Sequence, residues 1–512
     1  MPDLNTIAVH FLPELILTVG ALVVLGYDLA VKGRDARQAA LAVVTLLAAI
    51  GATLWLYQWP AAEVFGVTAG GVVLRPGAFV SDGFTHFFRL ISQVTSLIIV
   101  LSGMTYMRGR TAYKGEFYAL IVFAALAMDL MAGANDLIIV ALSIEFLSIT
   151  SYLLTAFLRG NLRSAEGGLK YFLYGSITSA AMLYGLSLIY GATATTSLPE
   201  VARIVGDPES LFVNRIDSLV LPALVLVLAG AGFKIALVPF HQWSPDAYEG
   251  APTPVTSFLS VGPKAAGFAV LMRLLFTAFD SHALSGAWLG TLAGLALVTM
   301  LLGNIVALAQ TNVKRMMAYS SIAQAGYMMV GLVSFGGAQL AGIDPLGSVL
   351  LFILTYLFTN LGAFAVIIAV DHAMGSADLA AFAGLMRRSP LLAVSLFVFF
   401  LSLVGIPPLA GFVGKFAVFG AAIASGQVGL ALAGVLTGVI SVGYYFKIVR
   451  EMFFADPPEG AGPLVVSPSL VFVVVLTLVM TFVVGIGAGP FIEMANGAAQ
   501  ALQPALEAVA GG

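Results

Sequence analysis

Long apolar blocks separated by short polar breaks run through most of this chain. Leu41 to Leu56, Leu219 to Leu228, Leu350 to Val370 and Leu470 to Val484 are examples. A helix needs roughly 20 apolar residues to cross about 30 Å of hydrocarbon, and the blocks read as the apolar parts of such spans. Reading spans by length and by breakers predicts helices over 11–30, 38–57, 81–107, 116–132, 135–158, 166–191, 219–243, 254–277, 285–308, 315–335, 346–370, 390–420, 428–453 and 467–489. The expectation is an all-α integral membrane protein of about 14 transmembrane helices.

Composition agrees, since 60% of the 512 residues are hydrophobic and 10% charged, against roughly 45–50% and about 25% in soluble domains. Basic residues fix the expected orientation. With the N-terminus outside, the inner connections hold 14 Lys and Arg, from Lys32, Arg34 and Arg37 to Lys447 and Arg450, and the outer ones only Arg75, Arg203 and Arg215. Such a bias places both termini on the outer face of the membrane, and one missed span would have scrambled it. The basic residues near the start follow the first apolar stretch, the order of a retained helix and not of a cleaved signal peptide.

The chain has no cysteine, so it cannot by itself build a disulfide, a thiolate zinc site or a cysteine-held iron–sulfur cluster. A formal charge of −3 with scattered basic residues offers no footprint for nucleic acid. His10, His86, His282 and His372 show no metal-ligand spacing, and no metal is expected.

Six basic residues fall inside predicted spans: Arg89, Lys170, Lys234, Lys264, Arg273 and Lys415. A cation at bilayer depth costs at least about 2.5 kcal/mol, so it normally faces a partner, a protein interior or water. The arginines read as structural, since long cationic side chains reach interfaces and other helices. Lys234 and Lys415 read otherwise. Lys234 stands between Gly230, Gly232 and Pro239, and Lys415 follows Gly405, Pro407 and Pro408. Proline removes a backbone donor and breaks the helix, which is tolerated at depth only where protein or water satisfies the freed carbonyls.

Glu145 is an isolated carboxylate in the middle of the fifth span, and Lys234 is its expected partner. An apolar surrounding favours the neutral form of an ammonium and a carboxylate neighbour the charged form. Moving Glu145 towards or away from Lys234 would therefore load or unload a proton. Lys264, in the eighth span, and Lys170, near the inner end of the sixth, extend the pair into a lateral row with Lys415, bridged by waters and by groups such as His241 or Tyr327.

The broken helices also occupy related places. Spans four to eight and nine to thirteen form units of five, and an odd count makes successive units run oppositely through the bilayer, the inverted-repeat plan of secondary transporters. The expected organisation is an N-terminal three-helix region (1–115), repeat 1 (116–280), repeat 2 (281–455) and a last helix with a tail (456–512).

At these residues the chain resembles a known family. Pro239-Phe-His-Gln-Trp-Ser-Pro-Asp-Ala-Tyr-Glu-Gly-Ala-Pro-Thr-Pro-Val255, followed by Ser257 to Lys264, is similar to the signature of subunit N of proton-translocating NADH:quinone oxidoreductase, respiratory complex I. So are Ala134 to Leu137, Lys170 to Phe172, Ala318 to Ile322, Asn360 to Phe364, Gly405 to Pro408 and Gly414 to Phe416. The resemblance covers nearly the whole chain. It implies a proton path through Glu145, Lys170, Lys234, Lys264 and Lys415 in a non-redox translocase subunit. NADH, FMN, iron–sulfur clusters and quinone would then belong to other subunits, with no cofactor on this chain. The implied partners are neighbouring antiporter-like and small membrane subunits, lipid and protons.

Subunits L and M and the Mrp-type cation/proton antiporters share the broken helices. In them the eighth helix carries a His-Ala motif where this chain has Pro263-Lys264, and subunit M has glutamate where Lys415 stands. The chain also ends without the long lateral helix of subunit L. It departs from many relatives at Gln324, where they have histidine. The alternative reading is a subunit of a Mrp-type or stand-alone antiporter with the same ion chemistry driven by a gradient, and a passive scaffold is the third.

Overall fold

The computed structural model describes residues 4–31, 37–69, 72–206, 213–279, 282–460 and 462–502. Lys32 and Arg34, counted for the orientation, and residues 503–512 of the tail lie outside the described residues. In chain order the helices are α1 (Leu4–His10), α2 (Leu12–Ala30), α3 (Arg37–Leu56), α4 (Gly83–Tyr106), α5 (Lys114–Gly133), α6 (Leu137–Thr155), α7 (Leu162–Thr193), α8 (Leu198–Gly206), α9 (Val213–Ile235) and α10 (Trp243–Gly250). They continue as α11 (Thr253–Ala278), α12 (His282–Ala307), α13 (Val313–Val333), α14 (Pro345–Met374), α15 (Leu385–Arg388), α16 (Pro390–Val404), α17 (Ala410–Ala424), α18 (Val428–Phe454), α19 (Pro468–Ile486) and α20 (Gly489–Gln500).

Eleven described helices are long and apolar enough to cross a membrane. The other predicted spans fall on α9, on α13, which opens with Lys314 and Arg315, and on the pair α16–α17. Two expectations change. The span predicted over 219–243 stops as a helix at Ile235, and that over 390–420 is two helices with a gap between Val404 and Ala410. The connection that follows α3 carries short strands: β1 (Ala62–Val64) pairs with β4 (Phe79–Ser81), and β2 (Val67–Ala69) with β3 (Val72–Arg75), all antiparallel.

Local chemistry sets the ends. Asp82, Asp136, Asn161, Asn312 and Asp344 each accept a backbone N–H of the helix they precede, satisfying donors that have no intrahelical partner. α11 and α14 are buried along their whole apolar length, whereas α2 and α7 turn most of theirs outward. The centre of the bundle is therefore two helices surrounded by protein, which is where a charge can sit without meeting lipid.

Two arginines inside the spans are tied to carboxylates. Arg89 on α4 donates to both carboxylate oxygens of Glu14 on α2, at 2.8 and 2.9 Å, with both side chains fully buried. Its remaining donors reach His10 O and Ser81 Oγ. Arg273 on α11 pairs with Asp82 at 2.8 Å and donates to Ala132 O. Nearby Asp129 on α5 accepts from Ser92 Oγ and, at 2.7 Å, from Gln93 Nε2. These contacts pin α2, α4, α5 and α11 together.

Removing one partner of such a pair leaves an uncompensated buried charge, which costs about 3–5 kcal/mol. Glu14→Ala should therefore lower thermal stability in detergent by that order, while the apolar double change Glu14→Leu with Arg89→Met should restore most of it. A single variant as stable as the parent would contradict this account of the pair.

Candidate functional site

Lys234 lies in the last turn of α9, and the chain breaks immediately after it. Ala236 adopts φ 60°, and α10 begins at Trp243. The backbone groups freed by the break find partners: Leu237 N–H donates to Gly232 O (2.8 Å), Val238 N–H to Thr299 Oγ1 on α12 (3.1 Å), and Trp243 Nε1 to Phe233 O (2.9 Å). The Trp243 ring stacks on Tyr171 with centroids 4.1 Å apart. Lys234 is 1% exposed, and its ammonium donates to Ser148 Oγ on α6 at 2.8 Å.

The second break is built differently around the same kind of charge. α16 ends at Val404, Gly405 takes φ 100°, and α17 starts at Ala410. Lys415 lies after this break, whereas Lys234 lies before its own, so the two sites are related without being superimposable. The Lys415 ammonium donates to Val404 O at 2.9 Å and stands 4.7 Å from the centre of the Tyr327 ring. It thus meets the negative end of the α16 dipole and an aromatic face. The positive φ at 405 favours glycine, and a Cβ there would press to 3.0 Å on Lys415 Cδ.

Lys264, buried on α11, donates to Ser321 O on α13 at 2.5 Å. The hydroxyl of the same Ser321 is 3.4 Å from Tyr248 Oη and accepts from Tyr356 Oη at 3.0 Å. Tyr356 in turn lines a cavity of about 10 Å³ together with Gln324, Thr355, Thr359, Ser402 and Lys415. That is room for about one water. A chain of polar groups thus leads from Lys264 through Ser321 and Tyr356 to the cavity beside Lys415.

Ser148 stands 11 residues from the start of α6 and Lys264 11 residues from the start of α11. At 1.5 Å per residue each is about 16 Å in, near the middle of a ~30 Å slab.

Glu145 sits one turn before Ser148 but forms no ion pair with Lys234, contrary to the expectation of a direct partnership. Its Oε1 is buried with no hydrogen-bond partner, one turn from the Ser148 that holds the Lys234 ammonium. The hydroxyls of Tyr152, Tyr171 and Ser244 and the Nδ1 of His241 are likewise buried without protein partners. They lie on α6, on α7, in the α9–α10 break and in the first turn of α10, near the end of α9 that carries Lys234. Buried polar atoms that lack protein partners are the usual hosts of ordered water.

Lys170 does not join the row. Its ammonium pairs with Glu166 at 2.7 Å and Asp246 at 2.8 Å, with the side chain 40% exposed. Arg315 grips the other oxygen of Asp246 and also reaches Glu249. Burial opposes ionisation of Asp246 on the short helix α10, but Lys170 and Arg315 outweigh it and hold its carboxyl below the usual carboxylate range. This ionic cluster ties α7, α10 and α13 at one end of the bundle.

Sequence reading did not identify Ser148, Ser321, Tyr248 or Tyr356, because hydroxyls in helices are common and only tertiary placement singles these out. They expose a division among the cations inside the predicted spans. Arg89, Arg273 and Lys170 are each paired with a carboxylate. Lys234, Lys264 and Lys415 donate only to neutral oxygens: a hydroxyl and two backbone carbonyls.

The family described as "NADH:quinone oxidoreductase/Mrp antiporter, TM" matches residues 134–441. The chain is 43% identical over 443 residues to NADH-quinone oxidoreductase subunit N of Desulfitobacterium hafniense, an alignment covering 85% of this chain and 88% of that one. It is 42% identical over 504 residues to NAD(P)H-quinone oxidoreductase subunit 2 of Synechocystis sp., covering 95% and 91%. Among solved structures, a chain of respiratory complex I from Thermus thermophilus with bound aureothin aligns at 30% identity and TM-score 0.75, over 94% of this chain and 98% of that one. A chain of the Mrp complex from Dietzia sp. shares the fold at 22% identity and TM-score 0.83, over 97% and 98%.

The second break depends on close approach of its two halves. A Cβ at Gly411 would collide with the backbone carbonyl of Ser402, whereas one at Gly429 meets nothing within 4 Å. Overpacking of this kind costs about 1–3 kcal/mol, while Gly→Ala in an open helix gains up to about 1 kcal/mol. Thermal unfolding in detergent should therefore show Gly411→Ala destabilised and Gly429→Ala unchanged or stabilised; equal behaviour of the two would contradict the close approach.

Proposed function

The chain belongs to the NADH:quinone oxidoreductase/Mrp antiporter family of membrane proteins, and from that membership we propose that it is a membrane-arm subunit, of the subunit N type, of a bacterial NADH:quinone oxidoreductase. In this reading it carries protons across the membrane while electrons pass from NADH to quinone in other subunits. Hydride and electron chemistry, with its FMN, iron–sulfur clusters and quinone, belongs to those subunits, and this chain contributes to the translocase without a redox centre of its own. It lies in the cell membrane with both termini on the outer face and packs against neighbouring antiporter-like and small membrane subunits.

The observation that carries the proposal is the neutral hydrogen bonding of Lys234, Lys264 and Lys415. If an ion-paired lysine gave up its proton, a lone carboxylate would be left buried, at a cost of several kcal/mol. A lysine held by a hydroxyl or a carbonyl leaves only neutral groups behind. Lys264 and Lys415 can therefore alternate between ammonium and amine without stranding a charge, Lys234 can do so once Glu145 withdraws, and the buried pairs of Arg89 and Arg273 cannot.

The steps follow from the contacts. Glu145, in reach of Lys234 but not bonded to it, stabilises the Lys234 ammonium when it approaches and releases it when it withdraws. Water held by the unpartnered atoms around Lys234 carries the proton towards Lys264. Ser321, Tyr356 and the water-sized cavity then relay it to Lys415. His241 supplies one of the water-holding atoms, and Lys170 with Asp246 and Arg315 braces the end of the path. Residues 116–280 and 281–455 act as the two inverted units, each contributing one broken helix, beside an N-terminal region of 1–115 and a last segment of 456–512.

In membrane vesicles, Glu145→Gln should lower the protons moved per electron pair by this chain's share while the assembly still forms. Blocking the quinone site should stop transport through the parent chain altogether. Undiminished pumping would remove Glu145 from the mechanism, and transport that continues with the quinone site blocked would favour a gradient-driven antiporter.

A further inference from the structure

Sizeable spaces lie away from the lysine row. Two adjoining cavities lie where α4, α5, α6 and α7 meet their connections, at the end that the basic residues place in the cytoplasm. One, of about 290 Å³, is walled by Leu25, Leu120, Phe123, Leu153 and Phe157 from α2, α5 and the α6 end. The other, of about 440 Å³, is bordered by Arg110, Arg159 and Asn161, and Tyr113, Phe157 and Arg159 line both.

Shape and charge follow the same axis. Phe123 lies nine residues along α5 from Lys114, about 14 Å at 1.5 Å per residue, which is close to the depth of one leaflet of a ~30 Å slab. The apolar cleft is thus as deep as half a membrane, and it opens beneath cations. The Arg159 guanidinium rests 4.4 Å from the centre of the Tyr113 ring. Its nearest carboxylate, Glu116, is 3.6 Å away, beyond hydrogen-bond reach, and the side chain is 70% exposed. Arg110 lies over the Tyr106 ring at 3.9 Å and stands 3.9 Å from Asp371. Arg110 also donates to Asp371 O at 3.3 Å, but neither guanidinium makes a hydrogen bond to a carboxylate oxygen, which leaves N–H donors on both for an anionic group.

We propose that this cleft is a binding site for one anionic phospholipid, with an acyl chain between α2, α5 and α6 and the phosphate on Arg159 and Arg110. Basic pockets between helices on the cytoplasmic side suit anionic headgroups, and an apolar trough of leaflet depth suits the chain beneath. Neither arginine belongs to the proton path, so occupancy of the site is separable from pumping.

Leu153, on the exposed wall of the cleft, allows a direct test in the purified assembly containing this chain. With Leu153→Trp, difference fluorescence against the parent reports quenching by brominated-acyl phosphatidylglycerol and by brominated phosphatidylcholine. The expected result is saturable quenching that prefers phosphatidylglycerol, with the preference falling on the order of fivefold for each arginine removed by Arg159→Ala and Arg110→Ala. Equal quenching by both lipids, with or without the arginines, would mean ordinary boundary lipid and overturn the proposal. Absence of quenching by either would mean that a neighbouring subunit covers the cleft, and would overturn it as well.

Discussion

An ammonium in an apolar slab must be satisfied by something, and the identity of the acceptor decides what the charge can do. A carboxylate partner neutralises it at the price of fixing it, because neither member can change protonation without stranding the other. A hydroxyl or a carbonyl satisfies the donor and remains neutral when the proton leaves. This chain uses both solutions. Arg89 with Glu14 and Arg273 with Asp82 clamp helices together, while Lys234, Lys264 and Lys415 end on Ser148 Oγ, Ser321 O and Val404 O.

The helix breaks make that second solution available at depth. A continuous helix consumes its carbonyls internally, so a side chain in the middle of a span finds few free acceptors. Ending α16 at Val404 releases a carbonyl at the negative end of a helix dipole, and Lys415 takes it. Ending α9 after Lys234 exposes the Phe233 and Gly232 carbonyls, which Trp243 and Leu237 then satisfy, so that the break closes around the lysine and not onto lipid. Between the breaks, the fully buried α11 and α14 bring Lys264 to the carbonyl and Tyr356 to the hydroxyl of Ser321. Secondary structure and packing meet at those few oxygens.

Much of this was legible in the sequence, for reasons that differ by residue. The spans were visible because apolar length is a local property: the expected helix over 254–277 is α11 (Thr253–Ala278), and that over 428–453 is α18 (Val428–Phe454). The breaks were visible because proline and glycine act locally, and the order of Lys234 before Pro239 and of Lys415 after Pro407 and Pro408 was legible with them. The acceptors were hidden, since Ser148 lies 86 residues from Lys234 and Ser321 57 from Lys264. The missing Glu145–Lys234 bond and the departure of Lys170 to Asp246 have the same cause. Glu14 and Asp129 were missed for another reason: counting carboxylates inside spans as strictly as lysines would have found them. The short strands and helices α8, α10 and α20 lie below the length at which apolar periodicity separates an element from its connection.

The claim that neutral acceptors make these lysines proton carriers is tested most directly by the number of protons moved per electron pair in intact membrane vesicles. The parent should be compared with Lys234→Met and with Lys415→Met, each in an assembly shown to be complete. The account predicts that either change lowers the ratio while electron transfer to quinone persists. A ratio equal to that of the parent in both variants would contradict it.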